Sequence, residues 1–280
     1  MSDRPPLRLV IPGFLTPGGT CRRCPTVIET GYLCPTCADE VRAEQRARDL
    51  ALMIQGSQRR MQRLEGLHSP TLVAASPGLA DPAMVVDRWN GVAHRWAKSW
   101  AMGSGGAWLF GGAGSGKSWI AAGLVQRVIE RGFTACMTPL QTILTKLEQL
   151  RFSRTDPNAL PRALDALGSV DLLVLDDVLA SKVSPGELDQ LLALLDRRGW
   201  EKRPIVCTAN YTRTGGLRRC TEWWGREDHA RADRIVSRLT ATTGVEIPCV
   251  FPGDRRTGAS DPSQIERLSR WADSEEPDAT

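Results

Sequence analysis

The segment "WLFGGAGSGKSWIAAGLVQRVIERG", residues 108–132, constrains the fold of this chain more than any other. A short apolar run enters a cluster of glycines, a Lys-Ser pair follows, and apolar residues then recur at helical spacing. Gly111, Gly112, Ala113, Gly114, Ser115, Gly116, Lys117 and Ser118 satisfy G-x-x-x-x-G-K-[ST] in full. Glycines let the backbone curl so that successive N–H groups converge on phosphate oxygens. The helix that follows adds unpaired amides and the positive end of its dipole. Lys117 is placed to reach the β and γ phosphates, and the Ser118 hydroxyl to ligate Mg²⁺. A strand before and a helix after set this apart from a glycine-rich turn with a chance Lys-Ser pair. The expected ligand is a nucleoside triphosphate with Mg²⁺, and the expected fold is α/β with a mostly parallel sheet.

A phosphate loop alone does not say whether the nucleotide is cleaved. "VDLLVLDD", ending at Asp177, supplies a companion. Leu172 to Leu175 form a run that is apolar on both faces, as a central parallel strand requires. Asp176 emerges at its C-terminal end, where ligands gather in such sheets, and is expected to hold the Mg²⁺ shell. Asp177 is the candidate to polarise the attacking water. Asp171, at the start of the run, reads as a surface residue. "PIVCTAN" is a further strand, and Asn210 at its end is placed to bridge the γ-phosphate and the water. "VEIPCV" reads as the last strand, with its proline pointing to a sheet edge. "SPGE" at 184–187 is a capping box opening a helix.

Four of the eight cysteines lie at Cys21, Cys24, Cys34 and Cys37, as two C-x-x-C pairs nine residues apart. In a cytoplasmic chain this spacing reads as a tetrahedral Cys₄ Zn²⁺ site. An iron–sulfur cluster or a redox pair are the alternatives. Cys136, Cys207, Cys220 and Cys249 do not pair by spacing, and the first two read as core residues. The N-terminus shows no secretory pattern, and no apolar run is long enough to span a membrane, so a cytoplasmic location is expected. A formal net charge of +4 over 280 residues permits contact with nucleic acid without arguing for it.

The organisation expected from these patterns is a disordered N-terminus over 1–20, a Cys₄ zinc module over 21–37 and a helix over 38–65. A Pro-rich linker over 66–83, a nucleotide-binding domain over 84–258 and a polar tail over 259–280 follow, with one helix in the tail. "TRTGGLRRCTEWWGREDHA", with Trp223, Trp224 and several arginines, reads either as a DNA-contacting loop or as a loop facing the core.

In their order, "FGGAGSGKS", "VDLLVLDD", "RPIVCTAN" and "ADRIVSRLTATTGVEIPCVFPGDRR" resemble the DnaC/DnaI/IstB-type AAA+ ATPases, over about residues 84–258. The resemblance implies an AAA+ oligomer with a reduced helical lid. It implies Asn210 as the sensor that reads the γ-phosphate and Arg238 as the arginine finger supplied to a neighbouring subunit, with Arg234 as the next candidate. Arg255 or Arg256 is implied as a second contact to the nucleotide. The activity implied is ATP-dependent loading of a hexameric replicative helicase onto single-stranded DNA during replication. The alternatives are an ATPase helper of a DNA transposase, or a nucleotide-gated adaptor with slow hydrolysis, the latter because Asp177 stands where many motor ATPases have Glu. The zinc module is then a grip on the helicase, a DNA contact through Arg22 and Arg23, or a structural knob.

Overall fold

The computed structural model describes residues 19–28, 33–64, 66–76, 78–81, 90–224, 229–249, 253–254 and 259–260. Contacts divide the chain into two units, 1–53 and 54–280.

In the first unit, β1 (Gly19–Thr20) pairs antiparallel with β2 (Val27–Ile28), with Gly19 opposite Ile28. Cys21 and Cys24 sit in the turn between them, closed by a Cys21 N–H to Thr26 carbonyl bond of 2.8 Å. Helix α1 (Pro35–Gln62) follows. A proline opens it, where the missing N–H has no intrahelical partner to lose. The helix therefore starts three residues before the expected boundary and carries Cys37 in its first turn. The Arg23 guanidinium grips Glu44 on α1 through bonds of 2.9 and 3.0 Å. That pair is exposed and contributes little by itself. The division into units falls inside α1, between Met53 and Ile54.

The second unit runs through α2 (Pro70–Ala74), α3 (Gly91–Ser99), β3 (Ala107–Phe110), α4 (Lys117–Glu130), β4 (Ala135–Pro139), α5 (Leu140–Arg151) and α6 (Ala159–Ser169). It continues through β5 (Leu172–Asp176), α7 (Pro185–Trp200), β6 (Ile205–Ala209), α8 (Arg213–Trp224), α9 (His229–Thr243), β7 (Val245–Pro248), β8 (Gly253–Asp254) and β9 (Ala259–Ser260). The sheet order is β4-β5-β6-β3-β7, parallel at every pairing, and β8 and β9 pair separately.

Period-2 alternation distributes the strand side chains to two cores. Trp108, Leu173, Leu175, Ile205 and Cys207 pack with residues of α5, α6, α7 and α9. Ala107, Leu109, Leu172, Val174 and Val206 pack with residues of α2, α3 and α4 on the other face. β5 and β6 are buried along their whole length, which is why their sequences are continuous apolar runs. The capping box of α7 is present in both halves, Ser184 accepting from Glu187 N–H and Glu187 accepting from Ser184 N–H.

The two sheet edges are handled differently. β7 is an edge strand, in keeping with Pro248. At the β4 edge, Ser69 N–H donates to Met137 carbonyl at 2.8 Å, and Met137 N–H donates to His68 Nδ1 at 3.1 Å. These bonds occupy backbone groups that an open edge would expose. The expectation of a linker over 66–83 is thereby corrected. Among its described residues Leu67, Val73 and Leu79 are buried, and α2 packs in the second core. Burial holds the His68 imidazole below its ordinary pKa, which keeps Nδ1 an acceptor.

Three further differences have physical causes. Asp171 is half-buried rather than a surface residue, because its carboxylate accepts from Thr134 N–H and Oγ1 at 2.8 and 2.7 Å and so joins the starts of β4 and β5. The segment after Asn210 is helix α8 rather than a loop. Arg198 on α7 is fully buried, and donates to the carbonyls of Leu167, Gly168, Val170 and Pro204 at 2.7–3.2 Å. Desolvation pushes its pKa down to about 9, still above neutrality, so the buried group stays charged. The expected tail helix and most of the region of the expected lid lie outside the described residues.

Candidate active site and metal centre

The C-terminal ends of β3, β5 and β6 deliver three loops to one end of the sheet. β6 lies between the other two, so Asn210 emerges between the phosphate loop and the acid pair.

The phosphate loop, 111–116, joins β3 to α4. Gly114 and Gly116 take φ of 71° and 91°, a region open to glycine. At Gly111, φ is 155° and an added Cβ would lie 1.9 Å from the Cys249 carbonyl oxygen. The loop thus needs glycine there because another backbone passes behind it. Cys249 supports it from the same side, its N–H donating to Phe110 carbonyl at 2.7 Å and its thiol to Ser115 carbonyl at 3.5 Å. Gly112 and Ala113 face solvent, Gly114 and Ser115 are buried, and Ser118 is half-buried in the first turn of α4. The Lys117 ammonium folds over the loop, donating to the carbonyls of Gly111 and Gly112 at 2.9 and 2.7 Å. It also donates to Asn210 Oδ1 at 3.1 Å. Two residues 93 positions apart in sequence thereby meet.

Asp176 is buried at the end of β5 and accepts from Thr208 Oγ1 at 2.6 Å. The same hydroxyl oxygen accepts from Asp177 N–H at 2.9 Å. Thr208 therefore sets both acids, a role the sequence reading missed. The available signal was a lone hydroxyl in the apolar run "PIVCTA". Asp177 is exposed, with φ of 54°, and Leu179 follows with φ of 63°. Each such non-glycine residue costs about 1–2 kcal/mol, which the surrounding packing must offset.

Ser118, in the first turn of α4, and Asp176, at the end of β5, offer hard oxygen donors, a set suited to Mg²⁺. Arg238 is engaged elsewhere within its own chain. Its Nε meets Asp196 Oδ1 at 2.6 Å on the partly exposed α7–α9 surface. Arg255 lies outside the described residues. Arg219 lies over the rings of Tyr211 and Trp223, and Arg213 donates to Gly244 carbonyl, so these two groups make internal contacts. The Trp224 side chain lies outside the described part of the structure.

In the first unit, the sulfurs of Cys21, Cys24, Cys34 and Cys37 all lie within 4.8 Å of one another, and those of Cys24 and Cys34 are 3.6 Å apart. Zinc–thiolate bonds of about 2.3 Å in a tetrahedron separate sulfurs by about 3.8 Å, so the donor set fits Zn²⁺. Backbone N–H groups of Cys34 and Arg23 hold the Cys21 pKa down at about 6. The neighbouring sulfurs of Cys24 and Cys34 push Cys37 up. Among the described residues no helix is long and apolar enough to cross a membrane.

A family described as IstB-like ATP binding protein matches residues 96–246, just over half of the chain. An insertion-sequence ATP-binding protein of Sinorhizobium fredii (strain NBRC 101917 / NGR234) is 30% identical over 153 residues, 54% of this chain and 50% of that protein. The ATP-binding protein of insertion sequence IS1162 from Pseudomonas fluorescens is 29% identical over 116 residues, 41% of this chain and 48% of that protein. The chain thus spans about half the length of the curated relatives it matches. The crystal structure of DnaI superposes with a TM-score of 0.51 at 22% identity, over 64% of this chain and 94% of that one, which shows a shared fold. The matched family region includes Lys117, Asp176, Asn210 and Arg238, and stops short of the four N-terminal cysteines.

Proposed function

The chain belongs to the IstB-like ATP-binding protein family, and on that premise we propose that it is an AAA+ ATPase of the cytoplasm that assembles into an oligomer on DNA and hydrolyses ATP there. The observation that carries this reading is the Lys117–Asn210 hydrogen bond. It joins the phosphate loop to the strand beside the acid pair, where one γ-phosphate can be touched by all three.

In this reading the amides of 111–116 and the N-terminus of α4 hold the β and γ phosphates, and Lys117 exchanges its carbonyl partners for phosphate oxygens. Mg²⁺, held by Ser118 and Asp176, supplies charge neutralisation at the phosphoryl group when bound. Asp177 accepts a proton from the attacking water, and Asn210 orients that water against the γ-phosphate. Arg238 acts on the site of a neighbouring copy, so that assembly gates hydrolysis. The Asp196 carboxylate keeps the guanidinium on the subunit surface until then.

The finer function is loading of a hexameric replicative helicase onto single-stranded DNA, with the Cys₄ zinc module as the part that grips the helicase. That the module lies outside the region shared with the family supports a partner-specific role. A second reading, an ATPase helper of a transposase, is favoured by the curated relatives, both insertion-sequence ATP-binding proteins. Parallel capture on an immobilised hexameric helicase and on a transposase, each with ATP, separates the two. Helicase capture that needs residues 21–37 supports the loader, and capture by the transposase alone replaces it. ATP turnover measured with and without single-stranded DNA tests the hydrolysis itself.

A further inference from the structure

The three residues after β5 hold two positive φ angles, at Asp177 and Leu179, and something must keep them there. Part of the answer lies on α8. The Leu179 side chain is buried and occupies the space over Gly216, where an added Cβ would come within 2.7 Å of Leu179 Cδ1. One turn further along α8, Arg219 Nε donates to the Leu179 carbonyl at 3.3 Å. The Arg219 guanidinium carbon sits 5.1 Å from the Tyr211 ring centre and 5.2 Å from that of Trp223. Tyr211 directly follows Asn210, and its carbonyl accepts from Trp108 Nε1 at 2.8 Å. One planar cation therefore touches the loop behind Asp177 and the loop behind Asn210 at once. A guanidinium held over two rings has its orientation fixed in a way that a lysine ammonium cannot reproduce.

We infer that Arg219 is a positioning residue that locks the loops after β5 and β6 together, and so fixes Asp177 relative to Asn210 for ATP hydrolysis. This rests on the hydrolytic roles proposed above for that pair. Arg219 does not touch the nucleotide. It acts through Leu179 on one side and Tyr211 on the other.

The test uses the full chain and the variants Arg219→Gln, Arg219→Lys and Gly216→Ala, with ATP turnover, ADP affinity, thermal midpoint and amide exchange measured on each. Arg219→Gln and Gly216→Ala are expected to lower kcat by about tenfold to a hundredfold, as misplacement of a reacting group does. KM and the ADP Kd are expected to stay within about twofold, the sign that only the chemical step has suffered. Arg219→Lys falls between these variants and the parent. Exchange at the Asp177, Val178 and Ala180 amides, each hydrogen-bonded in the parent, rises in the same order. Unchanged turnover in a folded Arg219→Gln protein overturns the inference, as does an equal loss of kcat and ADP affinity. If the parent itself does not turn over ATP, the hydrolytic reading fails. Exchange then decides the positioning role alone, and unaltered exchange in Arg219→Gln overturns it.

Discussion

Among the described residues, the N-terminal unit buries three cysteine side chains with Cys24 and Leu33 against them, whereas the sheet unit buries two apolar clusters, one on each face of five strands. One carries a cysteine set that fits a metal and the other a phosphate loop, and the two relate to their surroundings in opposite ways. The phosphate loop is an accessory to a core that exists without it. The cysteine cluster is itself the core of its unit, so there the ligand and the fold are one question. The contrast predicts that removing either ligand site leaves the other untouched, with consequences of very different kind.

The largest effect is expected from chelation. Structural zinc contributes about 10–16 kcal/mol in small metal-folded segments, so a strong chelator should unfold residues 21–37 outright. Metal content by mass spectrometry should fall from one zinc per chain to none, with ATP affinity unchanged. Loss of ATP binding on chelation would break the contrast. Next comes Lys117→Ala, which removes a charge-assisted contact to phosphate and should weaken ATP binding by about a hundredfold or more. Zinc content and thermal midpoint should hold, and a matching loss of zinc would again join what the comparison separates.

Arg198→Met tests whether the sheet unit rests on more than apolar contact. It leaves four backbone carbonyls without their donor, and the expected cost is about 3 kcal/mol in denaturant unfolding, confined to the sheet unit. The smallest effect concerns pH. Burial holds His68 below its ordinary pKa of 6.5, so the folded chain binds fewer protons there than the unfolded chain. The stability this confers is complete above 6.5 and is lost as pH falls through the lower folded value. His68→Gln should flatten that part of the pH profile of the sheet unit, and an unchanged profile would remove His68 as its cause.

What the sequence disclosed follows the same contrast. The phosphate loop, the acid strand and the paired C-x-x-C spacings were legible because local chemistry fixes each within a few residues. The edge role of β7 was legible from a single proline. What escaped depends on distant partners. The segment after Asn210 reads as a loop, yet it forms α8, with Gly216 where Leu179, 37 positions earlier, fills the space a side chain would need. "LHS" at 67–69 reads as the start of a linker, and becomes the cover of β4 only once that strand is an edge. Arg198 looks like an ordinary charge at the end of an amphipathic helix. The carbonyls that draw it inward belong to the end of α6 and the turn before β6. Thr208 carried a local sign, a hydroxyl in an apolar strand, whose meaning appears only when β5 lies beside it.

The account turns on a triphosphate clamped at the end of β3 and a pocket completed by a second copy through Arg238. Mixing two inactive variants tests this most directly. Lys117→Ala is expected to bind ATP only weakly while keeping Arg238, and Arg238→Ala to bind ATP while lacking the guanidinium proposed to act on the neighbouring copy. The account predicts little turnover from either alone and recovery of a substantial part of the parent rate on mixing. Arg238→Ala protein that hydrolyses ATP normally by itself, or a mixture as inactive as its components, would contradict it.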